Sequence, residues 1–192
     1  MSQMTLADFE ARYRADPDPW SYTSSRYEQA KYDATLGACG PGPFRCALEL
    51  GSSIGVFSAR LAPRCQSLVT IDAAPTAVAE ARWRLAGLPE PSGVSAIAGS
   101  IPEAIPRCRY DLIVASEILY YLDEQRLRRM LDRLRQLCLP RARWVAVHWR
   151  PDGPERALAA RDAHDLLHAQ DWLLPVTDAH TDDYLLDVLE RR

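Results

Sequence analysis

Lysine is almost missing from this chain. Of its 23 basic residues only Lys31 is a lysine, so the arginine abundance is a bias of the whole sequence and not one phosphate-reading face. An excess of positive charge is missing too: 26 acidic residues leave a formal net charge of -3, no global field for a polyanion, and a nucleic-acid substrate is disfavoured. No apolar run approaches the roughly 18 residues that a spanning helix needs. The opening MSQMTLADFEARYRADPDPW has no basic stretch leading into an apolar one, so neither a membrane segment nor a secretory leader is expected. Cys39, Cys46, Cys65, Cys108 and Cys138 are widely spaced, without a C-x-x-C pair or a His/Cys cluster at metal spacing. They read as small buried hydrophobes in a reducing compartment, which predicts a soluble cytoplasmic protein without a metal. His164 and His168 stand at i, i+4 on a predicted helix, but no third ligand is evident near them.

What is present is enough for one core. A length of 192 residues and 47% hydrophobic content predict a single α/β domain, with residues 1–40 as an N-terminal helical cap and 41–192 as the sheet-bearing core. Candidate strands at 45–50, 67–72, 94–98, 110–116 and 142–149 alternate with helical patterns such as 76–86 and 124–139. Such alternation predicts a mostly parallel sheet covered on both faces, a Rossmann-like three-layer sandwich. Residues 171–179 and 184–190 read as a closing antiparallel hairpin around the polar tract HTDD, which makes the expected sheet seven-stranded. Ser24–Ala38 reads as a helix with Ser24 or Ser25 as its cap, stopped by Gly40-Pro41-Gly42-Pro43.

Chemistry concentrates at strand ends. CALELGSSIGVFSARL spells strand, tight turn and helix, with Glu49, Gly51, Ser53 and Gly55 at the junction. Asp72, 21 residues past Gly51 and followed by Ala73, closes the next strand, where an acid can accept hydrogen bonds from ribose hydroxyls. A dinucleotide site would carry a glycine in place of Ser53 and no acid two residues before Gly51, because an acid there repels a pyrophosphate. A cofactor with an ammonium, a sulfonium and no phosphate tolerates that acid, and S-adenosylmethionine is such a cofactor.

Here the sequence resembles class I methyltransferases, whose acid-x-Gly-x-Gly-x-Gly turn is matched by residues 49–55 except at Ser53. Asp111-Leu112-Ile113-Val114-Ala115-Ser116-Glu117-Ile118-Leu119-Tyr120-Tyr121-Leu122 looks like the fourth motif of that class. Its SEILYYL form, with Asp16-Pro17-Asp18-Pro19-Trp20, Ser25-Arg26-Tyr27-Glu28 and Lys31-Tyr32, is similar to the nodulation protein S family of N-methyltransferases. The resemblance implies a small-molecule acceptor such as the free amine of a deacetylated aminosugar. It also implies that Ser100 stands where an acid usually meets the adenine amino group, beside Ile101, with Ser116 at the end of the fourth strand.

Glu117, Tyr120, Tyr121 and His148 are the candidates to accept a proton from an amine, which attacks only when neutral. Tyr120 and Tyr121 are neighbours, so one faces the pocket and the other the core. His148 faces substrate or serves as a hydrogen-bonded structural residue. Trp20 and Tyr27 offer aromatic faces to a sulfonium and Arg26 can meet its carboxylate; alternatively Trp20 packs the N-terminal helix and Arg26 faces solvent. The sequence leaves open N- against O-methylation and the oligomeric state. Two other classes also stand: a serine hydrolase, because Gly51-Ser52-Ser53-Ile54-Gly55 also spells a G-x-S-x-G elbow, and a non-catalytic cofactor-binding module.

Overall fold

Apolar runs of four to seven residues, buried on both faces, build the centre of the sheet. In this computed structural model, which describes residues 4–88, 93–151 and 153–192, the strands are β1 (Ala47–Leu50), β2 (Leu68–Asp72), β3 (Val94–Ala98), β4 (Tyr110–Ser116), β5 (Cys138–Trp149), β6 (Leu173–Asp178) and β7 (Tyr184–Arg191). Residues 1–3 of the expected cap lie outside the described residues. The seven strands form one sheet in the order β3-β2-β1-β4-β5-β7-β6. β1 to β5 pair in parallel, and β7 is antiparallel to both β5 and β6, the hairpin expected at the end. The order reverses between β1 and β4, and ligands of open α/β sheets bind outside the strand ends at such a switch point.

The helices are α1 (Leu6–Ala15), α2 (Arg26–Cys39), α3 (Val56–Leu61), α4 (Pro75–Ala86), α5 (Glu124–Leu137) and α6 (Ala160–His168). In α5, Leu127, Met130, Leu131 and Leu134 recur on one face and are all fully buried. Each is worth about 2 kcal/mol relative to exposure, several times the exposed Glu124–Arg128 ion pair. Packing against the sheet therefore holds α5. Ser25, not Ser24, caps α2, its Oγ accepting from Glu28 N–H. None of the described helices is long and apolar enough to cross a membrane.

Most boundaries shift from expectation by a residue or two, and at two places the cause is local. β1 starts at Ala47 and not Arg45, because the N–H groups of Arg45 and Cys46 donate to the Asp111 carboxylate instead of a ladder partner, at 2.7 and 3.0 Å. α5 stops at Leu137, since Pro140 bars its predecessor from helical geometry. β5 then begins at once at Cys138, paired with Tyr110, and passes through an irregularity between that pair and Leu112–Arg143.

Candidate active site

At the carboxyl edge of β1 to β4 the loops enclose a cavity of about 280 Å³. Its floor is the turn after β1. Gly51 has φ +77, and a Cβ there would lie 2.8 Å from Ile118 Cβ, so only glycine leaves this backbone bare toward the cavity. Ser53 also adopts a left-handed φ, +49, which costs a non-glycine residue on the order of 1 kcal/mol. Two contacts hold it there: its N–H donates to Asp72 Oδ2 at 2.8 Å, and its Oγ accepts from the Tyr13 hydroxyl at 2.6 Å.

Asp72 ends β2 in the cavity wall beside Ala73. Its second oxygen accepts from Ala74 N–H at 2.9 Å. Burial pushes its carboxyl above the ordinary range although the N–H groups of Ala74, Ser53 and Ala73 pull the other way. A carboxylate so placed gains from further hydroxyl donors. Ser100 and Ile101 after β3, and Ser116 and Glu117 after β4, complete the wall.

Glu49 and Gly55 are absent from that lining. Glu49 is 2% exposed inside β1 and takes a short hydrogen bond from Ser58 Oγ. Burial pushes its carboxyl up to about 7, while bonds from Ser58 and Thr70 pull downward. It braces α3 beneath the turn and presents no oxygen to the cavity. Gly55, at φ +79, caps α3, and a Cβ there would touch Ala81 Cα and Cβ at 3.0 Å. Its role is the close approach of α3 to α4.

The roof comes from the N-terminal segment. Thr5 and Asp8 form a reciprocal capping box at the start of α1, and Glu10 accepts from the N–H and hydroxyl of Thr76, fastening α1 to α4. Phe9, Tyr13, Trp20 and Tyr22 then line the cavity. Trp20 packs against the N-terminal segment, its ring contacting Phe9, Tyr13 and Tyr22, and it also lines the cavity. Arg26 does not reach it, being exposed at the first position of α2.

A second cavity of about 350 Å³ adjoins the first and shares Trp20, Tyr22, Glu117 and Tyr121 with it. Glu117 is the hinge between them. Its φ is +55, its N–H donates to Val147 O at 2.9 Å, and its carboxylate collects three donors. Lys31 Nζ meets Oε1 at 2.6 Å, the Tyr120 hydroxyl donates to Oε2, and Trp149 N–H reaches both oxygens at 3.1 Å. Lys31, 2% exposed, also pairs with Glu28 at 3.0 Å. Burial, then the Glu117 charge, raises the Tyr120 phenol well above its ordinary range, so it remains a donor. Tyr121 does not turn to the core alone: it lines both cavities, Tyr120 and Tyr27 the second only.

His148 lies beside Glu117 in sequence register but not in the cavity. It is fully buried, Nε2 accepting from Leu119 N–H at 3.0 Å and Nδ1 facing His164 Nε2 at 2.8 Å. Both nitrogens are used, so a substrate-facing role does not fit the geometry. The same arrangement removes the hydrolase alternative: Ser53 Oγ is bonded to Tyr13, and the four histidines gather around Asp187. Among the described residues no group of three or more His, Cys, Asp or Glu is arranged to hold a metal ion.

Several cavity residues are not singled out by sequence reasoning: Phe9, Tyr13, Tyr22, Asp123 and Arg126. Arg126 donates to Ile101 O and pairs with Glu103 at 2.7 Å, tying α5 to the loop after β3. Lys31 carried a signal, as the sole lysine beside an aromatic-rich stretch, but its partner Glu117 lies 86 residues away.

Comparison with known proteins bears on the family and on the fold. A sequence model of the family described as nodulation protein S (NodS) matches residues 3–150. Nodulation protein S of Sinorhizobium fredii is 35% identical over 114 residues, which cover 59% of this chain and 51% of that protein. The chain thus spans about half the length of the curated relatives it matches. Among solved structures, N-methyltransferase NodS from Bradyrhizobium japonicum WM9, in complex with S-adenosyl-L-homocysteine, shares the fold with a TM-score of 0.84 and 24% identity, covering 98% of this chain and 99% of that one. A Pseudomonas syringae protein is 34% identical, with a TM-score of 0.75, over 87% of this chain and 100% of its own. With most of its length matched by that family model, the chain belongs to the nodulation protein S family.

Proposed function

We propose that this protein is an S-adenosylmethionine-dependent N-methyltransferase that acts in the cytoplasm on a small amine, such as an aminosugar. The observation that carries the reading is the pair of adjoining cavities that meet at Glu117, one walled by Asp72 and a bare glycine turn, the other ringed by aromatic and charged side chains. The first fits the cofactor by its donors and acceptors. Asp72 offers carboxylate oxygens to ribose hydroxyls, Ser100 and Ile101 offer a hydroxyl and an apolar face to adenine, Gly51 exposes backbone, and Trp20 offers a π-face to a cation. When bound, the cofactor supplies a methyl group already activated on a sulfonium.

The chain's own residues would then align and desolvate the acceptor. Trp20, Tyr22 and Tyr121, common to both cavities, keep water from the junction. Glu117 would orient an ammonium and take up its proton, with Lys31 and Tyr120 keeping the carboxylate in place. Two cavities of this size suit a small molecule and not a polynucleotide or a lipid surface, and five free thiols suit a reducing compartment.

The test is calorimetric titration with S-adenosylmethionine and S-adenosylhomocysteine, followed by transfer of labelled methyl to a glucosamine oligomer. Micromolar binding and a labelled amine are expected. A well-folded protein that binds neither compound would overturn the reading, and binding without turnover on any amine would leave a cofactor-binding module.

A further inference from the structure

Every histidine of the chain reaches one aspartate, directly or through another histidine. His164 Nδ1 lies 2.6 Å and His168 Nε2 2.8 Å from Asp187 Oδ2, and His180 Nε2 lies 2.8 Å from Oδ1. His148 joins through His164, and its other nitrogen ends on the backbone N–H of Leu119. β5, α6, the β6–β7 connection and β7 therefore meet on the turn that follows β4.

A single proton arrangement satisfies the chain. Leu119 N–H can only donate, so His148 Nε2 accepts, and its proton sits on Nδ1. His164 Nε2 must then accept, which leaves its proton on Nδ1 to be donated to Asp187. A charged His148 would set two N–H groups against each other at Leu119. Burial, and then the neighbouring His164, hold its pKa well below the ordinary range, so it stays neutral.

Folding alone does not call for this. Asp187 is 2% exposed and His148 fully buried, and packed apolar side chains are usually as stable as a buried polar network or more so. The turn that the chain braces carries Tyr120, whose hydroxyl meets Glu117 and whose ring stands edge-on to His148 with centroids 5.0 Å apart. Glu117 has a left-handed φ, a conformation that persists only where its surroundings over-determine it.

We infer that His148, His164 and Asp187 are positioning residues of the second cavity: their one-way hydrogen-bond chain locks the Leu119–Tyr121 turn and, through it, the Glu117 carboxylate at the wall both cavities share. The inference rests on the reading that this cavity takes the acceptor. His168 and His180, with side chains 38% and 41% exposed, hold the carboxylate from its outer side.

Nitrogen-15 spectra of labelled histidine and native-state amide exchange test it. In the wild type His148 and His164 should both carry the proton on Nδ1. In His164→Phe, exchange at Leu119 and at Trp149, whose N–H holds Glu117, should speed up about tenfold, the loss of one hydrogen bond. Ser53 and Ala74, bonded to Asp72 in the first cavity, should keep their protection. His164→Gln should restore the pattern, its carbonyl accepting from His148 and its amide donating to Asp187. If His164→Phe does not fold, His164→Asn, too short to bridge both partners, carries the same comparison. Unchanged exchange at Leu119 and Trp149, uniform acceleration at all four amides, or a proton on His148 Nε2 would overturn the inference. Failure of the wild type to bind S-adenosylhomocysteine, with the exchange pattern intact, would count against the methyltransferase reading and not against the relay.

Discussion

The phenol of Tyr13 donates to Ser53 Oγ across 2.6 Å and so joins α1 to the turn after β1, forty residues later. Tyr13 is 5% exposed, and its burial, with the Asp72 charge second, keeps the phenol protonated far into the alkaline range. The phenol thus stays a donor, and the bond clasps the roof to the floor of the first cavity.

Tyr13→Phe should open that clasp while leaving the ring packed on Trp20. A net hydrogen bond of about 1 kcal/mol predicts roughly fivefold weaker S-adenosylhomocysteine binding with little change in fold. Calorimetry on the two proteins decides it. Equal affinities would mean that α1 does not close over the ligand.

Asp72 separates recognition from architecture through two substitutions. Asp72→Ala removes the partner of Ser53 and Ala74 N–H groups as well as the ligand contact, so it should lower thermal stability and abolish binding together. Asp72→Asn keeps the shape but removes the charge and sets an NH2 against the N–H of Ser53 or of Ala74; it should lose less thermal stability than Asp72→Ala and still bind at least about tenfold more weakly, as for a lost charge-assisted hydrogen bond. Wild-type affinity in Asp72→Asn would remove Asp72 from the cofactor contacts.

Residues whose place is set within one strand-turn-helix unit were legible in the sequence. Gly51, Asp72 and the run Ser116–Glu117 sit where spacing and periodicity put them, because strand ends of a parallel sheet share one edge. Glu49 and His148 are different. Their positions in the strands were readable, but which way each side chain points depends on packing across the sheet: Glu49 meets Ser58 and Thr70 inside the core, and His148 meets α6. The roof was the least legible part, since Tyr13 and Lys31 find partners 40 and 86 residues away, and no local pattern encodes such pairs.

Lys31 should be a stability determinant out of proportion to its number. It is 2% exposed and lies between Glu28 and Glu117. Lys31→Met would leave two carboxylates facing each other in a partly closed site, where loss of one member of a buried ion pair costs about 3 kcal/mol. Thermal unfolding should show a clear fall, and adding Glu28→Gln should recover part of it by removing one stranded charge. A double variant no more stable than Lys31→Met would show that volume, not charge, sets the cost.

Glu49 gives a pH signature with a definite sign. Its carboxyl titrates near 7 in the folded chain, raised by burial against the bonds from Ser58 and Thr70, from 4.5 in its unperturbed form. Below about pH 4.5 folded and unfolded chains both hold this proton, and Glu49 imposes no penalty. Between 4.5 and 7 the unfolded chain releases the proton while the folded chain keeps it, so stability falls as pH rises and the loss levels off above 7, reaching about 3 kcal/mol at most. Glu49→Gln cannot ionise and retains an oxygen for Ser58. Urea unfolding of both proteins should therefore find the variant no more stable than the wild type near pH 4 and more stable near pH 8. Because all other groups are common to the pair, the difference between the two curves isolates Glu49. A difference that stays flat across this range would mean that the carboxyl is ionised in the folded core, stabilised there by Ser58 and Thr70 more strongly than burial opposes it.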